Sequence, residues 1–201
     1  MSETSRTRGA THLDRQFAHP RGLVGRLIGH AMALEHRTLH REVVRRLQLE
    51  PDDRVLEIGF GPGTAIQLAA QQAAHVSGVD ISKEMVQQAL QRNRAAVRDG
   101  RVDLREGSAS RLPYPDASFT VVFEVNSLHH WDDQVQGMRE VRRVLKSSGS
   151  VLLTLREAHG TPLSGEVDAV VRLLRGEGLE VISTETHSFE HGGAFVMARR
   201  P

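Results

Sequence analysis

Three glycines at alternate positions, Gly59, Gly61 and Gly63, follow directly on the β-rich run Arg54-Val55-Leu56-Glu57-Ile58. Asp80 stands 21 positions after Gly59, at the end of a second such run that starts at His75. Glycine allows a tight turn and leaves no Cβ to hold a ligand off the backbone. A carboxylate closing the neighbouring strand can accept both hydroxyls of a ribose. Together they imply an adenosine-containing ligand. Two details bear on which one. The dinucleotide fingerprint has glycine or alanine at the sixth position of G-x-G-x-x-G, where this chain has Thr64, and Pro62 sits inside the turn. Glu57, two residues ahead of Gly59, would repel a pyrophosphate and attract a cationic or amine-bearing group.

His129 and His130 follow the apolar run Phe119-Thr120-Val121-Val122-Phe123-Glu124. A neutral imidazole past the end of a buried strand can take a proton near pH 7, which makes His129 the candidate general base. The alternative is that one imidazole packs on or caps the next helix while Trp131 fills the edge of the core. Glu124 has the same proton-accepting chemistry, but at a strand end it is expected to order the following loop. His36-x-x-x-His40 and His187-x-x-x-His191 have the spacing of one helix face. Neither pair has an identifiable third ligand and HExxH is absent, so no metal site is expected. The chain has no cysteine, hence no disulfide, thiolate zinc site or cysteine nucleophile.

The elements that must position these groups alternate at short spacing. Strands are expected at Arg54–Ile58, His75–Asp80, Val102–Arg105, Phe119–Glu124, Val151–Leu155, Leu179–Thr186 and Ala194–Arg199. Helical patterns fall between them: Thr64–Ala73, a stretch N-capped by Ser82 and running through Met85, Val86, Ala89, Leu90 and Val97, Gln134–Leu145, and Val167–Arg175. The nearly unbroken apolar run at Phe119 suits a strand buried on both faces. The expected fold is α/β: a doubly wound, Rossmann-like, seven-stranded and mostly parallel sheet with helices on both faces. Only a loop separates the last two strands, so they must form a C-terminal antiparallel hairpin. Residues 1–12 read as a disordered tail. Residues 13–49, with apolar positions Leu23, Leu27, Ile28, Met32, Leu39, Val43 and Leu47, read as an N-terminal helical cap, and residues 50–201 as the ligand-binding domain.

Here the sequence resembles a known family. Val55-Leu56-Glu57-Ile58-Gly59-Phe60-Gly61-Pro62-Gly63 is similar to the first motif of the class I S-adenosylmethionine-dependent methyltransferases, and Gly78-Val79-Asp80-Ile81-Ser82 to their second-strand motif. The segment from Gly107 to Phe119, with Leu112-Pro113-Tyr114-Pro115-Asp116 inside it, resembles the pattern of their small-molecule branch, the methyltransferase type 11, ubiquinone/menaquinone-methyltransferase-like proteins. Asn126-Ser127-Leu128-His129-His130-Trp131 and Val141 to Gly149 resemble that branch's later blocks. The resemblance covers residues 45–155 and, in outline, the C-terminal hairpin.

It implies methyl transfer from S-adenosylmethionine to a small-molecule O, N, S or C nucleophile, leaving S-adenosylhomocysteine. It implies a role for each matching position. Gly59, Phe60, Gly61 and Gly63 would form the turn under the methionine and ribose parts. Glu57 would hold the turn or the amino group, and Asp80 the ribose hydroxyls. Ile81 would pack on the adenine face, and Ser108 and Ala109 would meet its edge. Val125 and Asn126 would line the methionine end. Ser108 and Thr120 stand where the family usually has Asp, and both departures bear on cofactor affinity.

Composition narrows the remaining classes. The 201 residues are 39% hydrophobic and 25% charged with a net charge of +1, the balance of a folded globular chain. No apolar run approaches the roughly 18 residues of a membrane span. The polar start MSETSRTRGA has no signal core, so a cytoplasmic protein is expected, a monomer or homodimer, without a membrane or nucleic-acid partner. An amino-methylating nucleic-acid enzyme would carry a proline-rich tetrapeptide where Glu124-Val125-Asn126-Ser127 stands. Residues 1–50 hold nine arginines against five acids, with no interleaved aromatics to suggest nucleic acid. The cap is instead expected to close over the cofactor, with Arg15, Arg21 or Arg26 placed to meet an acceptor's carboxylate. Two other readings stay open at this stage: an NAD(P)-dependent oxidoreductase, and a non-catalytic protein that keeps the S-adenosylmethionine pocket for regulation or assembly.

Overall fold

The computed structural model describes residues 37–156, 162–188 and 192–201. Its elements run α1 (Arg37–Leu47), β1 (Arg54–Ile58), α2 (Thr64–Ala69), β2 (His75–Asp80), α3 (Lys83–Arg92), α4 (Arg94–Arg98), β3 (Val102–Glu106) and β4 (Phe119–Phe123). A 3-10 turn (Leu128–His130) leads to α5 (Gln134–Val144), β5 (Leu145–Arg156), α6 (Leu163–Gly176), β6 (Glu180–His187) and β7 (Gly193–Arg199).

The seven strands form one sheet in the order β3-β2-β1-β4-β5-β7-β6. The first five strands pair in parallel, and β7 runs antiparallel between β5 and β6. The expected mixed sheet and closing hairpin are therefore present. Strand alternation sends side chains of β1 to opposite faces. Leu56 and Ile58 join a core with Met138, Val141 and Val144 of α5 and Val170 and Leu174 of α6. Val55 faces the other core, with Leu39 and Val43 of α1, Ala65, Ile66 and Ala69 of α2, and Ala89 of α3. Helices thus cover both faces, as a parallel sheet needs.

The chain runs outward from β1 to β3 and then returns to place β4 on β1's other side. That reversal opens a crevice at the carboxyl ends of β1 and β4, where ligands bind in such sheets.

Several boundaries differ from those expected, each for a local reason. The stretch after Ser82 breaks at Asn93, whose side-chain Nδ2 donates to the carbonyls of Gly63 and Ala89 and ends α3. Helix α6 begins at Leu163, because Pro162 supplies the extended residue before a first turn. Strand β5 already starts at Leu145, opposite Phe119, and the register shifts beside Thr120 before Ser150 pairs with Val121. Ser148 takes φ 65° within this irregular start.

Helix α1 buries Leu39, Val43, Val44 and Leu47 and packs on α2. Arg46 lies 4.3 Å over the Phe195 ring and pairs with Glu185 of β6. This part of the expected cap belongs to the sheet's helical layer. The tail, the rest of the cap with Arg15, Arg21 and Arg26, and His36 and His191 lie outside the described residues. His187 ends a strand and packs on Phe195 at 4.5 Å, so its spacing to His191 is not that of one helix face. Among the described residues no helix is long and apolar enough to cross a membrane. Among them, too, no group of three or more His, Asp and Glu is placed to hold a metal ion.

Candidate functional site

A cleft opens at the crevice between β1 and β4. It holds about 780 Å³ of empty space, its open mouth included. Its floor is the turn after β1. Gly59 takes φ 72° and Gly61 φ 52°, the left-handed region that glycine enters without strain. A Cβ on Gly61 would meet nothing within 4 Å, so this residue faces open space in the cleft. A Cβ on Gly59 would lie 2.4 Å from that of Ser127, so this glycine also lets the segment after β4 close down on β1.

Gly63 serves packing instead. It lies off the cleft wall, and a Cβ there would come within 2.7 Å of Ala89 Cβ and 2.8 Å of Asn93 Nδ2. Helix α3 holds the turn from outside, with Arg92 Nε donating to the Pro62 carbonyl at 2.8 Å. The Phe60 ring is buried against Gly78 of β2 and is not part of the wall.

Asp80 ends β2 on the cleft wall. Its Oδ2 accepts the Gly61 amide and its Oδ1 the Ser82 amide, both at 2.8 Å. Ile81 beside it is 48% exposed, an apolar surface presented at the mouth. Ser108 and Ala109 form the next stretch of wall. The Ser108 hydroxyl accepts the Ser110 amide at 3.2 Å and caps its own turn. Thr120, the other departure from the family pattern, lies near the amino end of β4. Its hydroxyl donates to Asp53 Oδ1 at 2.7 Å, and it has no place in the cleft. Its bearing on cofactor affinity falls away on these grounds.

Val125 and Asn126 line the opposite side. Asn126 takes φ 52°, uncommon for a side chain other than glycine. Thr154 holds it there: the Thr154 hydroxyl accepts the Asn126 amide at 2.7 Å and donates to Asn126 Oδ1 at 3.2 Å. Glu124 organises the same segment. Its Oε1 accepts the Thr154 amide at 2.6 Å, and its Oε2 the amides of Ser127 at 2.6 Å and Leu128 at 3.1 Å. Burial pushes the Glu124 carboxyl above its ordinary proton affinity, and those amides pull it back. This is the loop-ordering role expected of it.

Glu57 is 1% exposed and does not reach the cleft wall. Among the described residues its Oε2 has no hydrogen-bond partner. Burial first, then the neighbouring Asp80 and Glu124, raise its pKa well above the usual carboxyl range.

Of the two histidines, His130 lines the cleft and His129 does not. Their rings lie against each other at a 45° tilt, with centroids 3.8 Å apart. Partial burial, His130 and Arg156 push the His129 pKa down to about 4. It is therefore neutral at pH 7 but a weak base, poorly matched to proton abstraction there. Trp131, Asp132, Met85 and Ser127 also line the cleft and were not anticipated from sequence. A helical periodicity marks Met85 as core. The only sequence trace of Ser127 is its small size, which the close approach to Gly59 requires.

Among the described residues the wall contains two acids, Asp80 and Asp132, and neither lysine nor arginine. That set does not suit a pyrophosphate. It suits a cationic ligand with a hydroxylated sugar: an acid for ribose hydroxyls, apolar faces at Ile81 and Ala109 for a base, and no phosphate-binding cation.

Comparison with known proteins agrees. A family described as "Methyltransferase domain" (Methyltransf_11) matches residues 56–153. The chain is 34% identical over 140 residues to the uncharacterized methyltransferase YdaC of Bacillus subtilis, a match covering 68% of this chain and 75% of that one. It is 42% identical over 108 residues to 27-O-demethylrifamycin SV methyltransferase of Amycolatopsis mediterranei, covering 53% of this chain and 40% of that one. The chain thus spans about two fifths of the latter's length. Among solved structures, the [4+2]-cyclase SpnF superposes with a TM-score of 0.70 at 24% identity, covering 82% of this chain and 81% of that one. At that identity the likeness is one of fold alone. With the match to YdaC carrying the relationship over three quarters of that protein's length, the chain belongs to the class I S-adenosylmethionine-dependent methyltransferases.

Proposed function

We propose that the cleft brings a small-molecule nucleophile up to bound S-adenosylmethionine at the Asn126–His130 side. When bound, the cofactor supplies a methyl carbon made electrophilic by its sulfonium, and the acceptor's electron pair forms the new bond as the carbon–sulfur pair returns to sulfur. The protein's part is to orient and to exclude water. Asp80 takes the ribose hydroxyls while its backbone partners hold it in place. Gly59 and Gly61 let the methionine portion lie on the turn, and Phe60 and Gly63 keep that turn in position from behind. Ile81 packs on the adenine, with Ser108 and Ala109 at its edge. Val125 and Asn126 bound the methionine end, and Glu57, buried beneath the floor, holds the turn rather than the amino group. Where the acceptor arrives protonated, His130 on the wall takes the proton, and His129 supports it from behind.

The observation that carries this reading is the Asp80–Gly61 hydrogen bond at the base of a cleft whose described lining holds two acids and neither lysine nor arginine. Calorimetry with S-adenosylhomocysteine, S-adenosylmethionine and NADH tests it. The first two are expected to bind and NADH to give no heat. Binding of NADH alone would overturn it.

A further inference from the structure

We propose that Asp132 reads the adenine of the cofactor, its carboxylate accepting an N–H of the 6-amino group across the cleft from Ser108. On the preceding reading, on which this rests, Ile81 packs on the adenine face while Ser108 and Ala109 meet its edge.

An adenine packed on Ile81 turns a polar edge toward the neighbouring wall, and its exocyclic amine donates hydrogen bonds. Ser108 offers oxygens there, but both already serve their own turn. Its hydroxyl accepts the Ser110 amide at 3.2 Å, and its carbonyl accepts the Arg111 amide at 3.1 Å. Asp80 is engaged as well, holding the Gly61 and Ser82 amides below the ribose.

Asp132 comes up to the same turn from the other side. The carbonyl of its neighbour Asp133 accepts the Ser110 hydroxyl at 3.4 Å, and Gln136 Nε2 donates to the Ser110 carbonyl at 3.5 Å. The segment that leaves Asn126 at the methionine end therefore reaches Asp132 beside the Ser108–Ser110 turn. Both flanks of Asp132 are fixed. Trp131 Nε1 donates to Ser127 Oγ at 3.4 Å, and the Trp131 ring lies so close to Gly137 that a Cβ there would come within 2.4 Å of it. Asp133 caps α5, its Oδ1 accepting the Gln136 amide at 2.9 Å. The Asp133 carboxyl is thus committed to the helix, while Asp132 is a lining residue of the cleft. Among the described residues the Asp132 carboxyl has no hydrogen bond or ion pair. Asp52 and Asp168 share that property, but neither lines the cleft.

A carboxylate accepts an amine more strongly than a hydroxyl does, because charge assists the bond. It also repels a carbonyl oxygen in the same place, so it separates a 6-amino from a 6-oxo purine. The methyl acceptor enters beside Asn126 and His130, whereas the tie between Asp133 and Ser110 sets Asp132 at the adenine end.

The test is calorimetry on the full chain with S-adenosylhomocysteine and S-inosylhomocysteine, which carries a 6-oxo group in place of the amine. The wild-type chain is expected to bind the first at least ten-fold more tightly, about 1.4 kcal/mol. Asp132→Ala should level the two, mainly by weakening S-adenosylhomocysteine. Asp132→Asn can turn its amide to donate to the 6-oxo group, so it should level them in part by strengthening S-inosylhomocysteine. Both variants should melt at the wild-type temperature. Equal binding of the two probes by the wild-type chain would overturn the proposal. A preference that survives Asp132→Ala would also overturn it, assigning the amine to Ser108 or to backbone. So would an equal loss of affinity for both probes, which a merely structural role would give, or a loss of turnover with the preference intact, which would put the acid at the methyl acceptor. Failure of the wild-type chain to bind S-adenosylhomocysteine at all would instead sink the cofactor reading, and the two failures are therefore distinct.

Discussion

The Gly61 amide donates to Asp80 Oδ2 at 2.8 Å, joining the turn after β1 to the acid that ends β2. The second oxygen of the same carboxylate holds the Ser82 amide, where α3 begins. One side chain thus fixes the cleft floor, one wall and the start of a helix.

Asp80→Ala is expected to raise the dissociation constant for S-adenosylhomocysteine at least ten-fold by calorimetry. It should also lower the melting temperature. The change leaves two backbone amides without their acceptor, a cost of about 1–3 kcal/mol for each that is kept from water. Asp80→Asn keeps the shape and one acceptor oxygen, so it should lose affinity with a smaller loss of stability.

Gly61→Ala and Gly63→Ala are expected to separate ligand binding from packing. Both residues sit at positive φ, so a side chain at either costs roughly 1–2 kcal/mol of backbone energy. At Gly61 the new methyl meets no protein atom and extends into the cleft. At Gly63 it collides with Ala89 and Asn93, adding about 1–3 kcal/mol of overpacking. Thermal melts should show the larger loss in Gly63→Ala, and cofactor titrations the larger affinity loss relative to stability in Gly61→Ala.

Glu124→Gln should loosen the segment that carries Asn126, Ser127 and His130. The carboxylate accepts amides on both oxygens, and the glutamine NH₂ would face one of them donor to donor. A stability loss of about 1–3 kcal/mol is expected. Methyl transfer should fall further than cofactor affinity, measured by turnover against calorimetry, because the acceptor's side of the cleft is the part disturbed.

Glu57 should make the ligand-free protein less stable as pH rises. Its folded pKa lies well above the ordinary carboxyl value of 4.5, first through burial and then through Asp80 and Glu124. The folded chain therefore holds a proton that the unfolded chain has released. Stability from this group is present below pH 4.5 and is lost as pH rises toward the folded value. Melts of Glu57→Gln across this range should be flatter than wild type, with the variant gaining relative stability toward pH 8. Parallel curves would assign the pH dependence to other groups.

The strand and helix order was legible because it is written locally. Period-two and helical runs of apolar residues and the cap at Ser82 each act within a few positions. The glycine turn and Asp80 were legible because both lie at strand ends, where topology brings a ligand. Thr120 and Gly63 show the limit. Each sits within a recognisable motif, but Thr120 bonds Asp53 and Gly63 packs on α3, and motif position alone does not report what a side chain touches.

By itself, then, the sequence determined the mixed seven-stranded sheet and the place of the cleft, and through its resemblance to a family it implied the type of chemistry. The sheet and the cleft follow from side-chain periodicity and from backbone freedom at glycine. Tertiary structure decided which residues face the opening. Ser127 meets Ile58 from 69 positions away, Thr154 sets Asn126 from 28 away, and His130 rather than His129 reaches the wall. Such contacts depend on how β4, β5 and the turn between them stack in space. No local pattern encodes that, because the energies involved appear only once distant strands have paired and water has been excluded between them.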